Sequence, residues 1–127
     1  METDDLSYIL NHLMEDREAG FRAVVPPVVQ SGNFTYPTVE ALRNAMRNEF
    51  DVPLYTRGAN PTVAVVRRKL AALEHAEDAL LFGSGSAAIA AGVLSFVKAG
   101  DHIVCVRKPY SWTTKLLNEL LERFGVT

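Results

Sequence analysis

One cysteine, Cys105, is all that the 127 residues contain, so no disulfide forms within the chain and nothing points to an oxidising compartment. Its setting, His102-Ile-Val-Cys-Val106, reads as a buried strand in which cysteine packs as a small hydrophobe. An excess of positive charge is also missing. Thirteen Lys and Arg stand against 15 Asp and Glu, which leaves no general field to hold nucleic acid. The basic triplet Arg67-Arg68-Lys69 lies among apolar residues at helical spacing and reads as a solvated helix face. No apolar run approaches the ~18 residues that would cross a bilayer. The opening Met-Glu-Thr-Asp-Asp is acidic where a signal segment would be basic, so the expectation is a cytoplasmic protein without a membrane partner. His12, His75 and His102 share no ligand spacing with each other or with Cys105, and no metal is expected.

With 48% hydrophobic and 22% charged residues the chain has the balance of a globular protein rather than a disordered tail. Residues 4–15 have the pattern of a short amphipathic helix, Leu6, Ile9, Leu10 and Leu13 sharing a side, with Asp4 or Asp5 as its cap. From Arg22 the pattern becomes Ala-Val-Val-Pro-Pro-Val-Val-Gln, an arm that two prolines keep extended. Such an arm either crosses its own domain or reaches a partner. Residues 38–50 read as a second helix, and Thr62 is placed to cap a third whose apolar positions Val63, Val66, Leu70 and Leu73 recur every three or four residues. That helix is expected to stop near Ala76. Ala79–Phe82 and His102–Val106 read as strands, with a small-residue, tightly packed buried helix between them that ends at Gly100. Residues 113–123 make a last helix closed by Gly125, and Val126-Thr127 open a further strand. The order strand, helix, strand, helix, strand predicts an α/β fold with a mostly parallel, truncated sheet. The organisation expected is an N-terminal helix and extended arm with a short helix over 1–61, then a partial α/β domain over 62–127.

Phe82-Gly83-Ser84-Gly85-Ser86-Ala87-Ala88 places small residues where a strand becomes a helix. The first amides of a helix lack internal partners and its dipole favours a negative group there, so the segment is suited to a phosphate. Ser84 or Ser86 adds a hydroxyl donor. Gly83, Gly85 and Ala88 also satisfy the G-x-G-x-x-A pattern of a dinucleotide site. That site normally wants an acidic residue after the next strand, whereas Asp101 precedes the strand and Arg107 and Lys108 follow it. An NADP-binding domain using Arg107 is therefore one alternative, and glycines that serve only close helix packing are another.

Tyr55-Thr-Arg57-Gly-Ala-Asn60-Pro61-Thr62 resembles the Tyr-Ser-Arg, Asn-Pro-Thr block of the Cys/Met metabolism (trans-sulfuration) family of pyridoxal-phosphate enzymes. Three further segments agree in order and spacing. They are the arm Val24–Gln30 before Phe34, the block from Leu73-Glu74 to Gly83–Ile89, and Ala99-Gly100-Asp101-His102 running to Tyr110. The likeness covers nearly everything from Arg22 to Thr127. It implies the arm and the start of the large cofactor-binding domain of a fold-type I enzyme, with pyridoxal 5'-phosphate as cofactor and a small sulfur-containing amino acid as substrate.

The resemblance further implies that Tyr55 and Arg57 bind the cofactor phosphate in a neighbouring subunit of a homo-oligomer, a tetramer, and that Gly85 and Ser86 hold the phosphate of the chain's own site. Tyr110 would stack on the pyridine ring and act in proton transfer or leaving-group departure. Asn60 and Pro61 would shape the loop and start the helix. After the tyrosine the family commonly continues Gly-Gly or Gly-Cys and then Thr, whereas Ser111-Trp112-Thr113 stands here, and the two bulkier residues are expected to narrow the pocket. The family's lysine that holds the cofactor, its acidic residue at the pyridine nitrogen and its substrate-carboxylate arginine find no matching positions in this chain, and none of Lys69, Lys98, Lys108 or Lys115 matches the lysine motif. The expectation is the N-terminal part of a lyase or transferase that eliminates or replaces β or γ groups, inactive as this chain alone. A non-catalytic homologue that acts as an assembly partner is the alternative.

Overall fold

The computed structural model describes residues 5–127, which fall into two compact units, one running to Leu80 and the other Leu81–Thr127. In the first, Asp5 starts helix α1 (Leu6–Asn11) by accepting the amides of Ser7 at 2.8 Å and Tyr8 at 3.4 Å, while Asp4 lies outside the described residues. Ile9 is the residue α1 buries. Helix α2 (Val39–Arg47) is capped by Thr38, whose hydroxyl accepts the Ala41 amide at 3.1 Å, with Glu40 in the first turn and Arg47 in the last. Both charges complement the helix dipole.

Helix α3 (Pro61–Leu73) begins differently from the sequence expectation. Asn60 is its cap, accepting the Thr62 amide at 2.9 Å, and Pro61 takes the first position, where its missing N–H costs nothing. Thr62 instead uses its hydroxyl to accept the Val29 amide at 2.8 Å, and Asn60 donates to the Val29 carbonyl at 3.0 Å. The extended arm is thereby hung on the start of α3, crossing its own unit, while Phe21, Val24, Val25 and Val28 face outward, Phe21 92% exposed.

Two members of the basic triplet on α3 are not solvated, while Arg68 stays exposed. Arg67 donates to the Ala79 carbonyl at 2.7 Å and pairs with Asp78, fixing the chain as it leaves the helix. Lys69 reaches the Leu10 carbonyl at 2.7 Å and pairs with Glu15, joining α3 to the segment after α1. The Glu15 side chain is only 8% exposed and that of Lys69 18%. The hydrogen bond from Lys69 holds the Glu15 carboxyl below its ordinary range, and the Ala79 amide, followed by Arg67, does the same for Asp78.

In the second unit Ser84 caps helix α4 (Gly85–Leu94), its hydroxyl accepting the Ala87 amide at 3.1 Å. The helix ends at Leu94, before Gly100, and buries none of its residues, contrary to the tightly packed element expected. Helix α5 starts at Ser111, two residues early (Ser111–Lys115), and continues through a π turn (Leu116–Leu120) and a 3-10 turn (Leu121–Phe124) to Gly125 in the left-handed conformation, φ 73°. Leu121 and Val126 are buried there.

The expected sheet is not formed among the described residues. Residues 79–82 and 102–106 contain no strand, and an isolated antiparallel bridge joins Asn33 to Tyr55 in the first unit. What survives is one rung in parallel register: the Thr127 amide donates to the Asp101 carbonyl at 3.0 Å and the Ile103 amide to the Thr127 carbonyl at 2.7 Å. A strand satisfies its backbone through neighbours on either side, and these segments have too few. Val104 is consequently 88% exposed, and Cys105 is exposed rather than packed in a core.

Candidate functional site

At the head of α4 the cap takes up the Ala87 amide and the Ser84 carbonyl receives the Ala88 amide at 3.1 Å. The amides of Gly85 and Ser86 have no partner among the described residues, as expected for the first turn of a helix. A Cβ built at Gly83 or Gly85 meets nothing within 4 Å. The glycines therefore do not serve close packing in this unit, and they leave a clear approach to two free donors at the positive end of a ten-residue helix. Ser84, offered by the sequence as a ligand hydroxyl, already accepts as the cap.

Tyr55 and Arg57 lie together in the first unit, in the turn that follows the Asn33 bridge. The Tyr55 carbonyl accepts the Gly58 amide at 2.9 Å and the Ala59 amide at 3.1 Å, which bends the chain and brings the Arg57 guanidinium over the Tyr55 ring, 5.1 Å from its centroid. Neither side chain has a hydrogen bond or ion pair among the described residues. A guanidinium without a carboxylate beside a free phenol is a donor pair suited to a phosphate dianion. Both border a recess with Glu49, Phe50 and Leu54.

Tyr110 precedes α5 and its carbonyl accepts the amides of Thr113 at 2.9 Å and Thr114 at 3.2 Å, so its ring projects from a fixed backbone and is exposed. The second unit holds a groove of about 440 Å³ that Ser86 shares with Trp112, Thr113, Leu116 and the charged Lys115, Glu119 and Arg123. Tyr110 is not part of its lining. The structure thus groups Tyr55 with Arg57 and Gly85 with Ser86, and adds Trp112 and Lys115 beside Ser86. Lys115 was not legible as a site residue, since its helical position marks it only as an outward charge. His102 places Nδ1 3.1 Å from the Thr127 hydroxyl, and no cluster of His, Cys, Asp or Glu among the described residues has the form of a metal site.

The two open amides of the second unit and, separately, the guanidinium and phenol of the first are each a donor set that fits a phosphate. The model of the Cys/Met metabolism PLP-dependent enzymes matches residues 8–127. The chain belongs to this family. An L-methionine gamma-lyase of Pseudomonas deceptionensis is 38% identical over 104 residues, 82% of this chain and 26% of that protein. An O-acetyl-L-homoserine sulfhydrylase of Corynebacterium glutamicum is 35% identical over 79% of this chain and 23% of its own length. Among solved structures, cystathionine gamma-lyase from Lactobacillus plantarum complexed with L-serine aligns with a TM-score of 0.76 at 31% identity, over 100% of this chain and 30% of that one. The chain spans about a quarter of the length of the curated relatives it matches. Its fold is that of the N-terminal part of a fold-type I enzyme of the family, and membership replaces the dinucleotide reading of the glycine segment. No helix among the described residues is long and apolar enough to cross a membrane.

Proposed function

We propose that the chain is the N-terminal part of a pyridoxal-phosphate-dependent enzyme of sulfur amino-acid metabolism, cytoplasmic, performing β or γ elimination or replacement on cystathionine- or homoserine-ester-like substrates. The observation that carries this is the open head of α4, where the Gly85 and Ser86 amides are free in a chain of this family. Those amides hold the cofactor phosphate by charge-assisted hydrogen bonds that the helix dipole reinforces. Arg57 and Tyr55 donate to the phosphate of a neighbouring subunit in a homotetramer, and the outward apolar face of the arm, Phe21, Val24 and Val28, supports an intersubunit role for residues 1–61. Residues 62–127 begin the cofactor domain, in which 79–82 and 102–106 take places in a parallel sheet as further strands pair with them.

Pyridoxal phosphate, when bound, supplies an electron sink for the substrate carbon next to the amine. Tyr110 would restrain the cofactor and substrate through its ring and would hold at its phenolic oxygen the proton that a departing group needs. Borohydride reduction of the protein purified from its source, read by intact mass and peptide mapping, tests the reading. One pyridoxyl group on a chain heavier than 14.0 kDa, at a lysine outside residues 1–127, is the expected result. An unlabelled protein would sink it and leave the non-catalytic assembly partner in its place.

A further inference from the structure

Thr56 stands between Tyr55 and Arg57 and is half-buried where both of its neighbours are exposed. Its backbone amide donates to the Gly32 carbonyl at 3.0 Å, and the next residue of that strand of chain, Asn33, bridges Tyr55. Its hydroxyl accepts from the Asn60 side-chain amide. The same amide nitrogen also donates to the Val29 carbonyl at 3.0 Å, while the Asn60 side-chain oxygen accepts the Thr62 amide at 2.9 Å. Residue 56 is thus tied to the arm through its backbone and to the start of α3 through its side chain. The Tyr55 carbonyl closes the turn on the Gly58 amide at 2.9 Å, and on this doubly held backbone the Arg57 guanidinium meets the Tyr55 ring, 5.1 Å from its centroid.

We propose that Thr56 is a positioning residue for the cofactor phosphate: its hydroxyl, bonded to Asn60, fixes the backbone that presents Tyr55 and Arg57 together; this rests on the reading that this pair donates to the phosphate. A phenol and a guanidinium act on one dianion only when both are offered at the same place. On a loose turn each side chain has to be ordered as the ligand binds, and that ordering weakens binding. Threonine suits the position because its branched side chain is stiff at χ1, so the hydroxyl is directed as well as present. Asn60 is 9% exposed, so a proton of its amide left without an acceptor is costly, and the turn shifts to find another.

The test uses the full-length enzyme freed of cofactor and its Thr56→Val, Thr56→Ala and Thr56→Ser variants, titrated by absorbance with pyridoxal 5'-phosphate and with pyridoxal, which lacks the phosphate. The valine and alanine variants are expected to bind pyridoxal 5'-phosphate about 10-fold more weakly and pyridoxal as the parent does. The serine variant, which keeps the hydroxyl, is expected to stay close to the parent with both. Parental affinity in the valine and alanine variants, or an equal loss for pyridoxal, would overturn the proposal by making Thr56 idle or merely structural. So would a serine variant as weak as the valine one. Arg57→Ala is the reference for the underlying reading. Parental affinity for pyridoxal 5'-phosphate in Arg57→Ala withdraws the phosphate role of the pair and this inference with it, whereas a weakened Arg57→Ala beside an unchanged Thr56→Val overturns this inference alone.

Discussion

Asn60 concentrates more structural duty than any other side chain in the first unit. It caps α3 through its carbonyl oxygen and pins the arm through its amide, and its own burial, 9% exposed, makes both bonds costly to lose. Asn60→Ala should destabilise the protein by about 2 kcal/mol, roughly half from the cap and half from the unsatisfied Val29 carbonyl, measured as a lower urea midpoint. Asn60→Asp keeps the cap acceptor and removes the donor, so it should recover about half. The residue pattern put the cap at Thr62, and Asn60 was tied to the helix start only through the resemblance to the family's Asn-Pro-Thr block. The role of Thr62 was not legible, because hydroxyl-to-arm pairing joins residues 33 positions apart and leaves no local pattern.

At the scale of elements, α1 is joined to α3 by the Glu15–Lys69 pair and the Lys69–Leu10 hydrogen bond. Because the folded carboxyl of Glu15 lies below its ordinary value of 4.5, its contribution is fully present above that value and is lost as pH falls through the lowered folded value. Asp78 acts in the same direction below its ordinary 3.8. Hydrogen exchange of the α1 amides should therefore be flat in protection above about pH 5 and lose protection on acidification below about pH 4.5. Glu15→Gln should lower protection at neutral pH and flatten the profile. A profile identical in the variant would show that the pair does not secure α1. Helices were legible, since caps and three-to-four spacing are local: Asp5, Thr38 and Pro61 mark real starts. The last helix was placed two residues late because Tyr110 makes no side-chain cap bond there. The strands expected at 79–82 and 102–106 are not formed among the described residues, because an apolar run says nothing of whether another strand lies beside it.

For the whole molecule, the buried apolar residues among those described are Ile9, Ala45 and Ala71 in the first unit and Leu121 and Val126 in the second. So small a core, with Phe21, Phe96, Val104 and Val106 outward, is ordinarily covered by further protein. The isolated 127-residue chain should accordingly bind a hydrophobic dye such as ANS and should release no pyruvate or 2-oxobutyrate from cystathionine. Steady production of either keto acid would show that a complete reaction centre lies within these residues. The family was legible in the sequence itself, because the block Tyr55–Thr62, the arm Val24–Gln30, the run from Leu73 to Ile89 and that from Ala99 to Tyr110 resemble the family's segments in order and spacing. Only the tertiary structure decided that Arg57 stacks on Tyr55, that Lys69 and Arg67 are clamps rather than a wet face, and that Trp112 shares a groove with Ser86. Each of these depends on side chains brought together by chain reversals and helix packing, and such contacts leave no periodicity along the chain to read.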